Sequence, residues 1–156
     1  PPPRAGRIVE RLLAERAPLR LLELGTYCGY ATVLLAQGMP PGARLYSVES
    51  NPEHAAVAEK VLRLAGIDEQ RVRMGTGARR RLRQQHQLLQ IDFVFMAHGK
   101  SCYLRDLRLL ESQRLLAPGA TVLADNVLCP GAPRFLRYVR SCGRYRCRLH
   151  RASLQY

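Results

Sequence analysis

The chain has 156 residues, the length of one domain with one sizeable core. Its composition is globular, at 47% hydrophobic and 24% charged, which excludes a low-complexity chain, and no apolar run nears the roughly 18 residues of a membrane span. The net charge of +13 comes almost wholly from arginine, since Lys60 and Lys100 are the only lysines.

The arginines cluster at Arg79-Arg80-Arg81-Leu82-Arg83 and from Arg134 to Arg151. Aromatic residues are sparse in the first cluster, and neither carries an RNA- or DNA-binding signature. Such clusters suit a nucleic-acid or anionic-membrane surface, but both read first as solvated faces, and nucleic acid is not an expected partner. Five cysteines at irregular spacings (Cys28, Cys102, Cys129, Cys142, Cys147) argue for reduced thiols in a cytosol-facing domain. Cys28 and Cys129 read as small buried residues. Cys142, Cys147 and His150 lack the C-x-x-C partner of a structural zinc site.

Ile8, Val9, Leu12 and Leu13 recur at helical spacing over Gly6 to about Ala17, and Pro18 ends that helix. A strand over about Arg20 to Glu23 comes next, then a helix over about Gly29 to Ala36. Gly38 and Pro40-Pro41-Gly42 break the chain before a second strand that closes on Glu49. Asn51-Pro52 reads as N-cap and first helical position of a helix to about Ala65, with Val57, Val61 and Leu64 on one face. A short strand near Val72 leads through Gly77 to an arginine-rich helix over about Ala78 to Gln87. Ile91–Met96 is apolar enough for a buried parallel strand. Leu104, Leu107 and Leu110 mark a helix stopped by Pro118-Gly119, and Thr121–Ala124 forms a fifth strand ending at Asp125-Asn126. Pro133 opens a helix with Phe135, Leu136 and Val139 inward, and Tyr145 to Leu154 reads as a sixth strand. Strands alternating with helices at this rhythm predict one α/β domain over 1–156, a doubly wound, mostly parallel sheet. Its ligands belong at the carboxyl ends of the strands.

The most informative segment is Leu21-Leu22-Glu23-Leu24-Gly25-Thr26-Tyr27-Cys28-Gly29-Tyr30, a strand, a two-glycine loop and a helix start. Glycines let backbone approach a ligand, and a helix start offers free N–H groups. The loop is neither a Walker sequence nor a full G-x-G-x-x-G, so phosphate is not favoured. A leading Glu suits a cationic amino group, as in S-adenosylmethionine. Glu49 ends the second strand 26 residues later, where a ribose diol finds a bidentate acceptor.

These residues resemble the catechol O-methyltransferase family over nearly the whole chain. Glu-Leu-Gly-x-Tyr-Cys-Gly-Tyr at 23–30, Pro-Gly-Ala-Arg-Leu at 41–45, Glu-x-Asn-Pro at 49–52 and Leu-Ala-Asp-Asn-Val-x-Cys-Pro-Gly-Ala-Pro at 123–133 carry the likeness. Ala97-His98, Cys102–Leu107 and Ser141–His150 look closer to the transmembrane O-methyltransferase branch of the vertebrate inner ear, whose members carry an upstream membrane anchor. The resemblance implies a class I S-adenosylmethionine-dependent methyltransferase fold. It also implies N-terminal helices and a last strand that this chain does not supply.

It further implies donor binding by Glu23, Gly25, Tyr27, Gly29, Tyr30, Glu49, Ser50, Gly77 and His98, with Glu49 on the ribose and His98 near the adenine. Asp125 and Asn126 match Mg²⁺ ligands, Lys100 matches the catalytic base, and Pro130 matches a wall of the catechol pocket. Four departures accompany these matches. Ala97 stands where the family has its first metal-binding Asp, and Gln155 where it has a substrate-orienting Glu. Gly99 replaces an aromatic wall, and Arg79-Arg80 replaces a small polar pair at the adenine edge. Mg²⁺ demands near-ideal octahedral oxygen geometry, so losing an anionic ligand weakens it. The expected protein is a monomeric, cytosol-facing O-methyltransferase for a small catechol, with a degraded metal site. The alternative is a methyltransferase-fold module that acts through a membrane-protein partner, in hearing by resemblance.

Overall fold

The computed structural model describes residues 4–76 and 90–151. Among the described residues five α-helices and five strands follow in this order: α1 (Arg4–Arg16), β1 (Arg20–Leu24), α2 (Tyr30–Gly38), β2 (Arg44–Glu49), α3 (Pro52–Leu64), β3 (Val72–Thr76), β4 (Ile91–Met96), α4 (Tyr103–Ser112), β5 (Leu116–Ala124) and α5 (Pro133–Ser141). The strands form one sheet in the order β3-β2-β1-β4-β5. Every neighbouring pair is parallel. The chain winds outward from β1 through β2 to β3, then crosses back to β4 and β5. The strand order therefore reverses between β1 and β4, the point at which such sheets bind ligands.

Strand alternation divides the core in two. Leu21, Leu45, Phe93 and Phe95 face α1, α2 and α3, where Val9, Leu13, Leu35, Ala36 and Leu62 meet them. Leu22, Leu24, Val94 and Met96 face α4 and α5, against Leu107, Leu110, Phe135 and Val139. Burying each such leucine contributes about 2 kcal/mol.

The helix from Asn51 begins as its sequence dictates: the Asn51 side chain accepts from the Glu53 N–H at 2.9 Å, and Pro52 is at the first turn. Its inward face differs from the predicted one. Ala55, Ala58 and Leu62 are buried, whereas Val57 is 48% and Leu64 89% exposed. Small residues win this face because α3 lies close against the β1–α2 loop, as Ala58 beside Gly29 shows.

The α4 helix stops at Ser112, six residues before Pro118, where Arg114 takes a positive φ and the chain turns into β5. Pro118 and Gly119 lie inside β5, at an irregularity in its pairing with β4. Proline is tolerated at such a break because it has no N–H to give the ladder. The predicted sixth strand is absent over residues 145–151. The alternation of Tyr145, Cys147 and Leu149 with arginine is real, but a strand needs a ladder. Instead this segment bonds to the helices: Tyr145 donates to Glu111 Oε1 at 2.5 Å, and Cys147 Sγ to the Val139 carbonyl at 3.5 Å. The arginine-rich helix predicted over 78–87, the cluster at Arg79–Arg83, and Gln155 lie outside the described residues.

Candidate functional site

The loop after β1 is wedged between the ends of β4 and α3. Gly25 has φ +95°, and a Cβ there would lie 2.7 Å from His98 N and 2.8 Å from His98 Cα. Gly29 has φ +87°, and its Cβ would lie 3.1 Å from Ala58. Any side chain at Gly25 would collide with backbone, so this loop requires glycine for close approach as well as for conformation.

Glu49 organises the neighbouring strand end. Its Oε2 accepts the Tyr27 N–H at 2.8 Å and its Oε1 accepts the Asn51 N–H at 2.9 Å. Burial pushes this carboxyl up, but backbone donors at Asn51, Tyr27 and Ser50 outweigh it and hold the carboxyl below its ordinary value. Glu49 is thus an ionised acceptor in a fixed orientation, and its backbone bonds leave part of the carboxylate's acceptor capacity open. Ser50 follows it, exposed at the bend. Tyr27 has φ +52° and packs edge-on against His54 at 4.7 Å between ring centroids. Tyr27 and Tyr30 are 64% and 59% exposed, two aromatic faces open at the mouth of the loop. Cys28 is exposed, not buried as expected. The glycines on either side bring the loop backbone, not the thiol, into the interior.

Glu23 is fully buried. Its Oε2 accepts from Thr32 on α2 at 2.7 Å and from Ser47 on β2 at 2.5 Å, and Thr26 and Ser47 exchange a further bond at 2.6 Å. Its Oε1 has no partner among the described residues. Burial, only partly offset by the Ser47 and Thr32 hydroxyls, pushes this carboxyl up to about 7. Two hydroxyls and one orphaned oxygen leave room for one more donor, and a cation there would draw the group toward its ionised form.

The other wall is built from the ends of β4 and β5. Tyr103, the first residue of α4 and fully buried, donates to the Met96 carbonyl at 2.8 Å and the Asp125 carbonyl at 3.0 Å, tying the two strand ends together. Burial and the nearby Asp125 carboxylate push its phenol up, so it stays a donor. His98 turns toward α4: Nε2 lies 2.8 Å from Asp106 Oδ2, and the buried Nδ1 has no partner among the described residues. Asp106 also accepts from Arg105 Nε at 2.8 Å. Burial pushes the Asp106 carboxyl up, but the His98 and Arg105 bonds outweigh it and hold it low. Lys100 Nζ lies 3.4 Å from the His98 carbonyl and 5.4 Å from the centre of the Tyr103 ring.

Asp125 follows β5 directly. Its N–H bonds the Met96 carbonyl at 2.9 Å, and its Oδ1 accepts the Asn126 N–H at 2.9 Å. Asn126 is exposed with φ +51°, and Pro130 lies in the single-turn helix Val127–Gly131 that follows. Gly77 lies outside the described residues.

The fold therefore gathers Glu23, Gly25–Tyr30, Glu49–Ser50, His98, Lys100 and Asp125-Asn126 at the carboxyl ends of β1, β2, β4 and β5. The sequence reading overlooked Thr32, Ser47, Tyr103 and Asp106. Asp106 carried a signal, since an acid one turn from Tyr103 and beside Leu107 on a buried helix face implies a partner.

The donors do not suit an Mg²⁺ site. Among the described residues no three His, Cys, Asp or Glu side chains converge. Asp125 spends one oxygen on backbone, and Ala97 contributes none. One carboxylate already bonded to backbone, with one amide oxygen, gives a singly charged donor set that holds a strongly hydrated divalent ion weakly.

A parallel sheet of this order, with a glycine loop after the first strand and an acid closing the second, defines the class I methyltransferase architecture. Residues 3–134 match the O-methyltransferase family, and the chain belongs to it. It is 60% identical over 156 residues to the mouse transmembrane O-methyltransferase homolog, covering 97% of this chain and 60% of that one. It is 44% identical over 155 residues to pig catechol O-methyltransferase, covering 97% and 83%. Among solved structures, TomG of Streptomyces achromogenes, an O-methyltransferase of tomaymycin synthesis in complex with S-adenosylmethionine, is similar with a TM-score of 0.75 and 26% identity. That likeness covers 87% of this chain and 67% of that one. The chain spans about 60% of the length of the mouse transmembrane relative.

Proposed function

We propose that this domain binds S-adenosylmethionine at the carboxyl ends of β1 and β2 and transfers its methyl group to a hydroxyl of a small catechol. Glu49 supports this reading most directly: its carboxylate is held by the Tyr27 and Asn51 N–H groups with acceptor capacity left over for a ribose diol. In the proposed complex the loop 25–30 surrounds the methionine portion, and Glu23 Oε1 faces the ammonium. Ser50 and Gly77 complete the donor site, as does His98 through Nδ1 or its backbone. Pro130 walls the acceptor.

The reaction is an in-line displacement. An acceptor oxygen attacks the methyl carbon, the carbon–sulfur bond breaks, and its electron pair stays on sulfur, which becomes a neutral thioether. Lys100 Nζ, entering the step as the neutral amine, takes the acceptor's proton and becomes the ammonium. Tyr103 and Asp125 fix the ends of β4 and β5, and with them the approach of the acceptor. No step passes through a divalent cation, because the donor set does not fit one.

Ala97 favours a second reading, in which the domain holds the donor with little turnover and serves a membrane-protein partner. Relatives named as transmembrane O-methyltransferases support a place beside a bilayer. Calorimetric titration with S-adenosylmethionine, followed by mass spectrometry of catechol incubated with donor, tests both. Donor binding with methylated catechol supports the enzyme, binding without product supports the module, and no donor binding overturns both.

A further inference from the structure

Seven arginines lie between Arg134 and Arg151, and no Asp or Glu occurs from Val127 to Arg151. On α5, Phe135 and Val139 are buried while Arg134, Arg137 and Arg140 are exposed. The following segment adds Arg144, Arg146, Arg148 and Arg151, all exposed. Only Arg144 is compensated, by Glu111 at 3.6 Å. The other six form no ion pair with any described residue.

This is a built surface. Glu111 on α4 accepts from Tyr138 at 2.7 Å through Oε2 and from Tyr145 through Oε1, clamping the segment after α5 to both helices. Arg108 stacks on the Tyr138 ring at 4.7 Å and Arg144 donates to its hydroxyl at 2.8 Å, which brings α4 into the same face.

We propose that this face docks the domain on an anionic lipid bilayer. Dense, unpaired guanidinium groups match a plane of phosphate and carboxylate headgroups. Leu149, 41% exposed among the arginines, supplies an apolar side chain for the headgroup boundary. Nucleic acid fits less well. Single strands need open aromatic faces for stacking, and the tyrosines here are engaged by Glu111 and by arginine.

The test is flotation of the protein with vesicles of 30% phosphatidylserine in phosphatidylcholine, and of phosphatidylcholine alone, at 0.1 and 0.5 M salt. Each arginine near such a surface changes partitioning about fivefold at low salt. The quadruple variant Arg137→Gln, Arg140→Gln, Arg146→Gln, Arg148→Gln should lose two orders of magnitude or more of its partitioning. A control with the same charge change elsewhere, Arg7→Gln, Arg11→Gln, Arg16→Gln, Arg63→Gln, should stay within a few fold of the parent. Parent binding should also collapse at 0.5 M salt and be absent from phosphatidylcholine. Equal loss in both variants would reduce the effect to net charge and overturn the assignment. So would failure of the parent to bind anionic vesicles, or tighter binding to a 20-base-pair DNA than to vesicles at 0.15 M salt. Donor titration of the vesicle-bound protein should match that in solution, which keeps this test separate from the methyltransferase reading.

Discussion

Replacing Glu49 by alanine removes the carboxylate that ties the backbone of the β1–α2 loop to the end of β2. In the free protein the variant leaves the Tyr27 and Asn51 N–H groups without their acceptor. Both sit near solvent and can turn to water, so the loop loosens without collapse of the sheet. In the proposed donor complex the variant would also lose two hydroxyl bonds to an ionised acceptor. Hydrogen bonds to a charged group contribute about 1.5–3 kcal/mol, and the second hydroxyl adds less than the first because one carboxylate serves both. The predicted loss of affinity is about 1.5–3 kcal/mol, a roughly 10- to 150-fold rise in Kd. Isothermal titration with S-adenosylmethionine measures it directly. Glu49→Gln keeps the volume but turns an amide N–H toward a backbone N–H, so it should not restore binding. Circular dichroism melts of both variants should show cooperative unfolding. A folded Glu49→Ala variant that bound donor as tightly as the parent would refute the ribose placement.

Glu23 gives a pH signature of opposite sign to an ordinary surface acid. Its carboxyl rises from about 4.5 to about 7 on folding, so its contribution is fully present below the lower value and is lost as pH rises through the upper one. The loss is about 3 kcal/mol, and urea titrations from pH 4 to 8 should show Glu23→Gln removing that slope; an unchanged slope would place the titration elsewhere. Tyr103→Phe removes the hydroxyl from the Asp125 carbonyl and leaves the Met96 carbonyl with the Asp125 N–H, and chemical denaturation should find it about 1–3 kcal/mol less stable, whereas a cost below about 0.5 kcal/mol would mean that the strand ends do not depend on it. Gly25→Ala forces a Cβ to within 2.7–2.9 Å of His98 and Ala97 backbone atoms. It should cost about 2 kcal/mol or more and weaken donor binding as well, an outcome that neutral stability would contradict. Ala97→Asp adds the carboxylate that the β4 end lacks, and Mg²⁺ titration together with catechol turnover should rise in this variant; unchanged Mg²⁺ affinity would show that Asp125 and Asn126 are not poised for a cation.

The elements that set the sheet were legible because each carries its own punctuation. Pro18, Gly25, Asn51-Pro52 and Pro133 mark boundaries by fixed backbone requirements, and the apolar run Ile91–Met96 can only be a buried strand. The acids at Glu23 and Glu49 were legible because a charge at the end of a buried strand needs a reason. What failed depended on tertiary partners. The face of α3 was read from its large apolar residues, yet the close approach of Gly29 to Ala58 selects the small ones. The alternation after Gly143 has strand period, but Glu111 captures Tyr145 on the helical side. The bridge that Tyr103 makes between two strand ends depends on β4 and β5 lying side by side. The partners of Glu23 come from α2 and β2, and only the folded chain brings Thr32 and Ser47 to it.

Backbone hydrogen exchange with and without S-adenosylmethionine tests the central claim most directly, because it reports where the donor sits whatever the turnover. New protection is expected at the amides of residues 25–30 and 49–51, at the ends of β1 and β2, with the buried strands unchanged. Protection confined to other segments, or none at saturating donor, would contradict it.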